Sequence, residues 1–137
     1  MSFSPYLFFS GGDCSAAFMR YQEIFGGDVQ VMKVGDAPEG ERMPGADPEM
    51  IMHASLTVGS AVLMGSDDPT GDGGPKLGSA VSFTAGTAAE AQQVFGALSE
   101  GGEITMPYSE TFWSKGFGMC TDKFGVPWMI SAPDVAE

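Results

Sequence analysis

The chain contains itself twice. Phe9 to Met32 aligns with Phe83 to Met106, and each stretch reads as an apolar strand, a small-polar turn, an Ala-rich helix, a Gly-Gly stop and a new strand. The spacing is 74 residues at Phe9/Phe83, Ala17/Ala91 and Tyr21/Phe95, and 75 at Gly26-Gly27/Gly101-Gly102. It falls to 65 at Leu63-Met64/Trp128-Met129, so about ten extra residues sit in the first copy, within the Gly-, Pro- and Glu-rich stretch Gly35 to Met50. A period this long is not a solenoid repeat. It implies an α+β chain made of two tandem β-α-β-β-β modules.

With 137 residues and 43% apolar content, the chain is long enough for one compact domain, which at this size buries about 70% of its unfolded surface. The expected organisation is therefore a single domain: module one over about 1–66, a linker over about 67–75, and module two over about 76–132. Eighteen acids against six bases give a net charge of −12. Such a surface repels phosphate backbones and anionic lipid, which argues against nucleic-acid and membrane partners. No apolar run approaches the roughly 20 residues of a membrane span, and the first residues lack a basic region. Cys14 and Cys120 are the only cysteines, far apart and without metal-spaced neighbours, which suits free thiols in a reducing cytoplasm.

Ser4–Phe9 reads as the opening strand, and Asp13 is the expected cap of a helix from Cys14 to Phe25. Ala17, Phe18, Tyr21, Ile24 and Phe25 fall on one face of that helix, and Gly26-Gly27 ends it. In the second copy Lys76–Thr84 is the opening strand. Thr87 and Glu90 form a capping box for a helix whose buried stripe is Ala91, Val94, Phe95 and Leu98. The remaining strands are expected at Asp28–Val34, Ile51–Val58 and Ala61–Met64, then Glu103–Tyr108, Phe117–Thr121 and Val126–Ser131. Asp67, Asp68 and Asp72 among glycines invite a calcium reading, but the EF-hand register and closing Glu are missing, so an inter-module linker is the expectation there.

Five separated segments carry a family resemblance: Pro5–Phe9, Ile51–Ala54, Leu63–Asp67, Ser109–Trp113 and Phe124–Ile130. In order and spacing they resemble the PhnB-like branch of the vicinal oxygen chelate superfamily, which includes glyoxalase, bleomycin-resistance and extradiol dioxygenase proteins. The resemblance implies that the two modules pair into a curved, mostly antiparallel sheet that forms a cup for a ligand. Members with metal chemistry take ligands from the first and last strand of each module. The family pattern and the repeat offsets map those positions to Tyr6, Met64, Ala80 and Met129. None is a good ligand for Mg²⁺, Mn²⁺, Zn²⁺ or Ni²⁺, which prefer carboxylate, imidazole or thiolate. Two thioethers suit Cu(I), yet with ten methionines in the chain, core filling explains them without a metal. The expectation is a cup with no metal and no cofactor. Relatives in this branch often carry a demethylubiquinone methyltransferase-like label, but no nucleotide-binding loop is present here.

His53 is the only histidine. If it faces the cup with Ser55 and Thr57, it can serve as a general base or ligand donor; if it faces the helix side or outward, it is a bonded strand residue. Glu110, flanked by Tyr108, Phe112 and Trp113, is the matching candidate acid if it is buried, and otherwise a solvent-facing acid beside a loop clasped by aromatic packing. Trp113 and Phe112 can supply a flat wall for an apolar or aromatic ligand. The expected site is therefore His53 and Glu110 as tentative catalytic groups, with Tyr6, Ser55, Met64, Trp113 and Met129 as ligand contacts. The leading function is binding of a small molecule, with a cationic ligand favoured by the acidic surface. The alternatives are a metal-independent lyase or isomerase using His53 and Glu110, or a metalloenzyme with non-standard ligands. Uncovered sheet edges make a homodimer the expected assembly. The Gly35–Met50 insertion is expected to act as a flap near the cup or the dimer seam.

Overall fold

A computed structural model describes residues 2–38, 40, 47–68 and 78–133. The chain forms two compact units, Met1–Gly73 and Gly74–Glu137. In unit one, β1 (Tyr6–Phe9), α1 (Cys14–Phe25), β2 (Asp28–Lys33), β3 (Ile51–Val58) and β4 (Ala61–Asp67) follow in chain order, with a 3₁₀ turn at Val34–Asp36. Unit two repeats the order with β5 (Val81–Thr84), α2 (Ala88–Ser99), β6 (Glu103–Ser109), β7 (Phe117–Thr121) and β8 (Pro127–Ser131). Both four-stranded sheets have the same arrangement, β1-β4-β3-β2 and β5-β8-β7-β6. The first strand pairs with the last in parallel, and the other two ladders in each sheet are antiparallel. A parallel pair needs a long crossover, and in each unit the helix and the two intervening strands supply it.

Each helix covers one face of its own sheet. On α1 the buried residues are Cys14, Ala17, Phe18 and Tyr21, and Phe18 meets both Phe9 and Tyr21 edge to face. Ile24 and Phe25, expected in that stripe, are only half-buried at the helix end. On α2 the buried residues are Ala91, Val94, Phe95 and Leu98, the stripe read from the sequence.

The helix starts differ from expectation. Asp13 makes no capping bond through its side chain. The amide of Cys14 instead donates to Asp67 Oδ1 at 3.0 Å, and Oδ2 of the same carboxylate accepts from the Ile51 amide at 2.9 Å. A carboxylate arriving from β4 thus satisfies one of the orphan amide donors of the first turn. Asp67 belongs to β4 and is buried, which replaces the linker and calcium readings at this residue; Asp72 lies outside the described residues. On α2, Thr87 Oγ1 accepts from the Glu90 amide at 3.0 Å, but the Glu90 carboxylate accepts from the Gly86 amide at 2.7 Å rather than from that of Thr87.

Unit two has its own buried acid. Asp122 Oδ1 accepts from the amides of Phe124 and Val126 at 2.9 and 3.0 Å, and Oδ2 accepts from Trp128 Nε1 at 2.9 Å. This closes the β7–β8 turn. The described ends of the insertion are pinned to one another. The Val34 amide donates to the Met50 carbonyl and the Gly35 amide to the Pro48 carbonyl, both at 2.8 Å, while Lys33 pairs with Glu49 at 2.9 Å. Residues 39 and 41–46 of the expected flap lie outside the described residues.

Candidate functional site

Strand parity sorts the candidate residues of unit one. On β3, Ala54 and Leu56 are buried on the α1 side, so the alternating positions His53, Ser55 and Thr57 point to the helix-free face. On β1, Phe9 is buried under α1, which sends Tyr6 and Phe8 to that same helix-free face. Register then draws the group together. Met64 lies between Tyr6 on β1 and Ser55 on β3, and Met32 on β2 lies opposite His53.

Tyr6 reaches across β4 to His53. Its Oη lies 3.3 Å from His53 Nδ1, and the two rings stand 5.7 Å apart. The phenol donates when the imidazole carries its proton on Nε2. Phe8 packs 5.2 Å from Tyr6, and Tyr6, Phe8 and Met32 are 38%, 55% and 46% exposed. The result is an accessible aromatic and thioether platform with one imidazole, tethered by a phenol, at its centre. Phe8 and Met32 were not among the expected ligand contacts. The signal for Phe8 was available, because it stands two residues from Tyr6; placing Met32 needs the β2–β3 register.

In unit two, Met129 alternates with the buried Trp128 and Ile130, so it points to the helix-free face of its own sheet. The repeat offset assigned Ala80 as the partner of Met129, but the ladder places Ser82 opposite Met129 and leaves Ala80 before β5. The second copy has slipped by two residues on its first strand. A slip of two preserves which face every side chain meets, so burial does not oppose it.

Glu110 follows the end of β6 and is exposed, not enclosed by its three aromatic neighbours as the acid role requires. Those rings are engaged elsewhere: Tyr108 packs on Phe95, and Phe112 stacks edge-on to Trp113, which meets Phe117 in the same way. Residues 110–115 and Pro133 line an open crevice of about 310 Å³. His53 belongs to unit one and Glu110 to unit two.

Both cysteines are buried free thiols. Burial, reinforced by the Asp67 carboxylate, pushes the Cys14 thiol up to about 12, and burial also raises that of Cys120. Neither is an activated nucleophile.

The architecture and the sequence agree with known proteins. Residues 5–130 match the family model of the Glyoxalase/Bleomycin resistance protein/Dioxygenase superfamily. The chain belongs to this superfamily. It is 35% identical to Protein YjdN of Escherichia coli (strain K12) over 96% of this chain and 95% of the relative. The crystal structure of protein PA1353 from Pseudomonas aeruginosa superposes with a TM-score of 0.86 at 42% identity, over 96% of this chain and 97% of that one. The PhnB protein of Bacillus cereus superposes with a TM-score of 0.72 at 25% identity, over 97% and 100% of the two chains, in accord with the PhnB-like branch.

Superfamily members that act through a metal need donors at the first and last strands of each module. The side chains standing there are Tyr6 and Met64 in unit one, and Ser82 and Met129 in unit two. A phenol, a hydroxyl and two thioethers do not fit a hard or borderline divalent ion. Among the described residues, no group of three or more His, Cys, Asp or Glu side chains is placed to hold one. No described helix is long and apolar enough to cross a membrane.

Proposed function

We propose that this superfamily member binds a partly apolar small molecule through the helix-free sheet faces, without a resident metal. One observation carries the reading: the Tyr6–His53 pair, set among exposed Phe8 and Met32 on the face that α1 leaves uncovered. Apolar and aromatic side chains with a few convergent polar groups are what lines a small-molecule site. Ser55 and Met64 extend the same face, and Met129 takes the corresponding place in unit two. The net charge of −12 favours a cationic ligand.

The reading includes a homodimeric, cytoplasmic protein. Edge strands β2 and β6 expose Met32, Val31, Ile104 and Met106, which supports association, and two free thiols suit a reducing compartment.

Thermal unfolding, followed against a panel of cationic and neutral aromatic compounds and against Ni²⁺, Zn²⁺, Mn²⁺ and Fe²⁺, tests the proposal. An organic ligand raises the midpoint of the parent protein and raises that of Tyr6→Phe or His53→Gln less, because only native-state binding stabilises. Stabilisation by one equivalent of any of these metals overturns the metal-free reading. If every organic ligand that stabilises the parent stabilises both variants as much, the placement on this face is overturned.

A further inference from the structure

The crevice beside Trp113 is lined wholly by residues of unit two. Its wall is one short turn after β6. The Thr111 amide donates to the Ser114 carbonyl at 2.9 Å, and Ser114 Oγ donates to the Gly116 carbonyl at 2.7 Å. The Gly116 carbonyl also accepts from the Ala132 amide at 2.8 Å, which fixes the turn to the chain just after β8. A turn held by this many backbone bonds presents its side chains in set positions.

Two features of those side chains point to a ligand. Phe112 is 97% exposed and Trp113 54% exposed, although the two rings are held edge to face 4.8 Å apart and Trp113 is seated on Phe117. An ordered, uncovered aromatic pair is a platform for another apolar body. Finally, the wall holds one acid and one base, Glu110 and Lys115, and neither forms an ion pair among the described residues. A site with one uncommitted charge of each sign complements a molecule that bears both.

We infer that the crevice formed by Glu110, Thr111, Phe112, Trp113 and Lys115 binds a small zwitterion with a flat apolar body, its ammonium directed to Glu110 and its anionic group to Lys115. The aromatic pair receives the body and adds cation–π attraction for the ammonium. A purely cationic ligand leaves Lys115 opposed by nothing, and a purely anionic one leaves Glu110 so.

The chain itself provides the reporter. It has two tryptophans; Trp128 is 2% exposed and bonded to Asp122, so an added quencher and an added ligand act on the emission of Trp113. The probes are phenylalanine, phenethylamine and 3-phenylpropionate, which share one ring and differ in charge, excited at the red edge where only tryptophan absorbs. Phenylalanine is expected to give a saturable change, with each singly charged analogue at least about threefold weaker, the scale of one exposed ionic contact. Glu110→Gln is expected to weaken phenylalanine and phenethylamine by about threefold and leave 3-phenylpropionate unchanged, and Lys115→Met the reverse. Unchanged Trp128 emission in each variant shows that the fold is kept. No saturable change with phenylalanine, or equal affinity for all three probes, overturns the inference. Tyr6→Phe and His53→Gln are expected to leave this titration unaltered, so its failure and that of the sheet-face reading are separable; a loss of the titration in either variant overturns the independence of the crevice.

Discussion

The carboxylate of Asp67 accepts the backbone amide of Cys14 at 3.0 Å, so the last residue of β4 caps the first turn of a helix 53 positions earlier in the chain. Its second oxygen holds the amide of Ile51, where β3 begins. Removing both acceptors leaves two buried donors unpaired at about 1–3 kcal/mol each. Asp67→Ala is therefore expected to lower unfolding stability by about 2–5 kcal/mol, and Asp67→Asn, which keeps one acceptor, by roughly half of that. Urea midpoints of the two variants check both the size and the order.

The two helix starts give a paired expectation. Thr87→Ala removes a capping bond and costs about 1 kcal/mol, whereas Asp13→Ala removes a side chain that caps nothing and stays within about 0.5 kcal/mol of the parent. Equal losses in denaturant unfolding would contradict the assignment of the α1 cap to Asp67.

Two glycines separate packing from propensity. A Cβ on Gly118 would stand 2.6 Å from the Phe95 ring that α2 lays on β7, so Gly118→Ala is expected to destabilise by about 1–3 kcal/mol. A Cβ on Gly96, exposed within α2, meets nothing within 4 Å, so Gly96→Ala is expected to stabilise by about 0.5–1 kcal/mol. Thermal midpoints should move in opposite directions.

The Cys14 thiol, ordinarily near 9.0 and pushed up to about 12 by burial and by Asp67, stays protonated in the folded protein while the unfolded thiol begins to ionise. Its contribution to stability is complete below pH 9.0 and is lost as the pH rises towards about 12. Stability measured across that alkaline window should fall less steeply in Cys14→Ala than in the parent. Alkylation of Cys14 at neutral pH should be slow until the protein is unfolded.

Much of this fold was legible because the repeat and the local periodicities agree. The α1 span, the α2 stripe, β3 and β7 all follow from apolar spacing and Gly stops. What escaped was set by tertiary pairing. Asp67 looked like a linker acid because nothing in its neighbours shows that β4 runs three residues past Met64 to bring the carboxylate under α1. Ala80 replaced Ser82 because residue counting cannot detect a slip of two that preserves every buried face. Within the site, the facing of His53 followed from alternation once β3 was placed, but its phenol partner depends on which strands flank β4. Which of its two readings Glu110 takes could not be read from its neighbours, because Tyr108 and Trp113 turn away to pack on Phe95 and Phe117 and leave the carboxylate exposed.

In both sheets the opening strand lies against the closing one, so every ladder of each sheet is made within its own half. A half-length chain of this design would hold all of its ladders and leave only the outer sides of its two edge strands open. With its ladders self-contained, each half is free to present different chemistry, one an imidazole and a phenol, the other an indole and a pair of opposite charges.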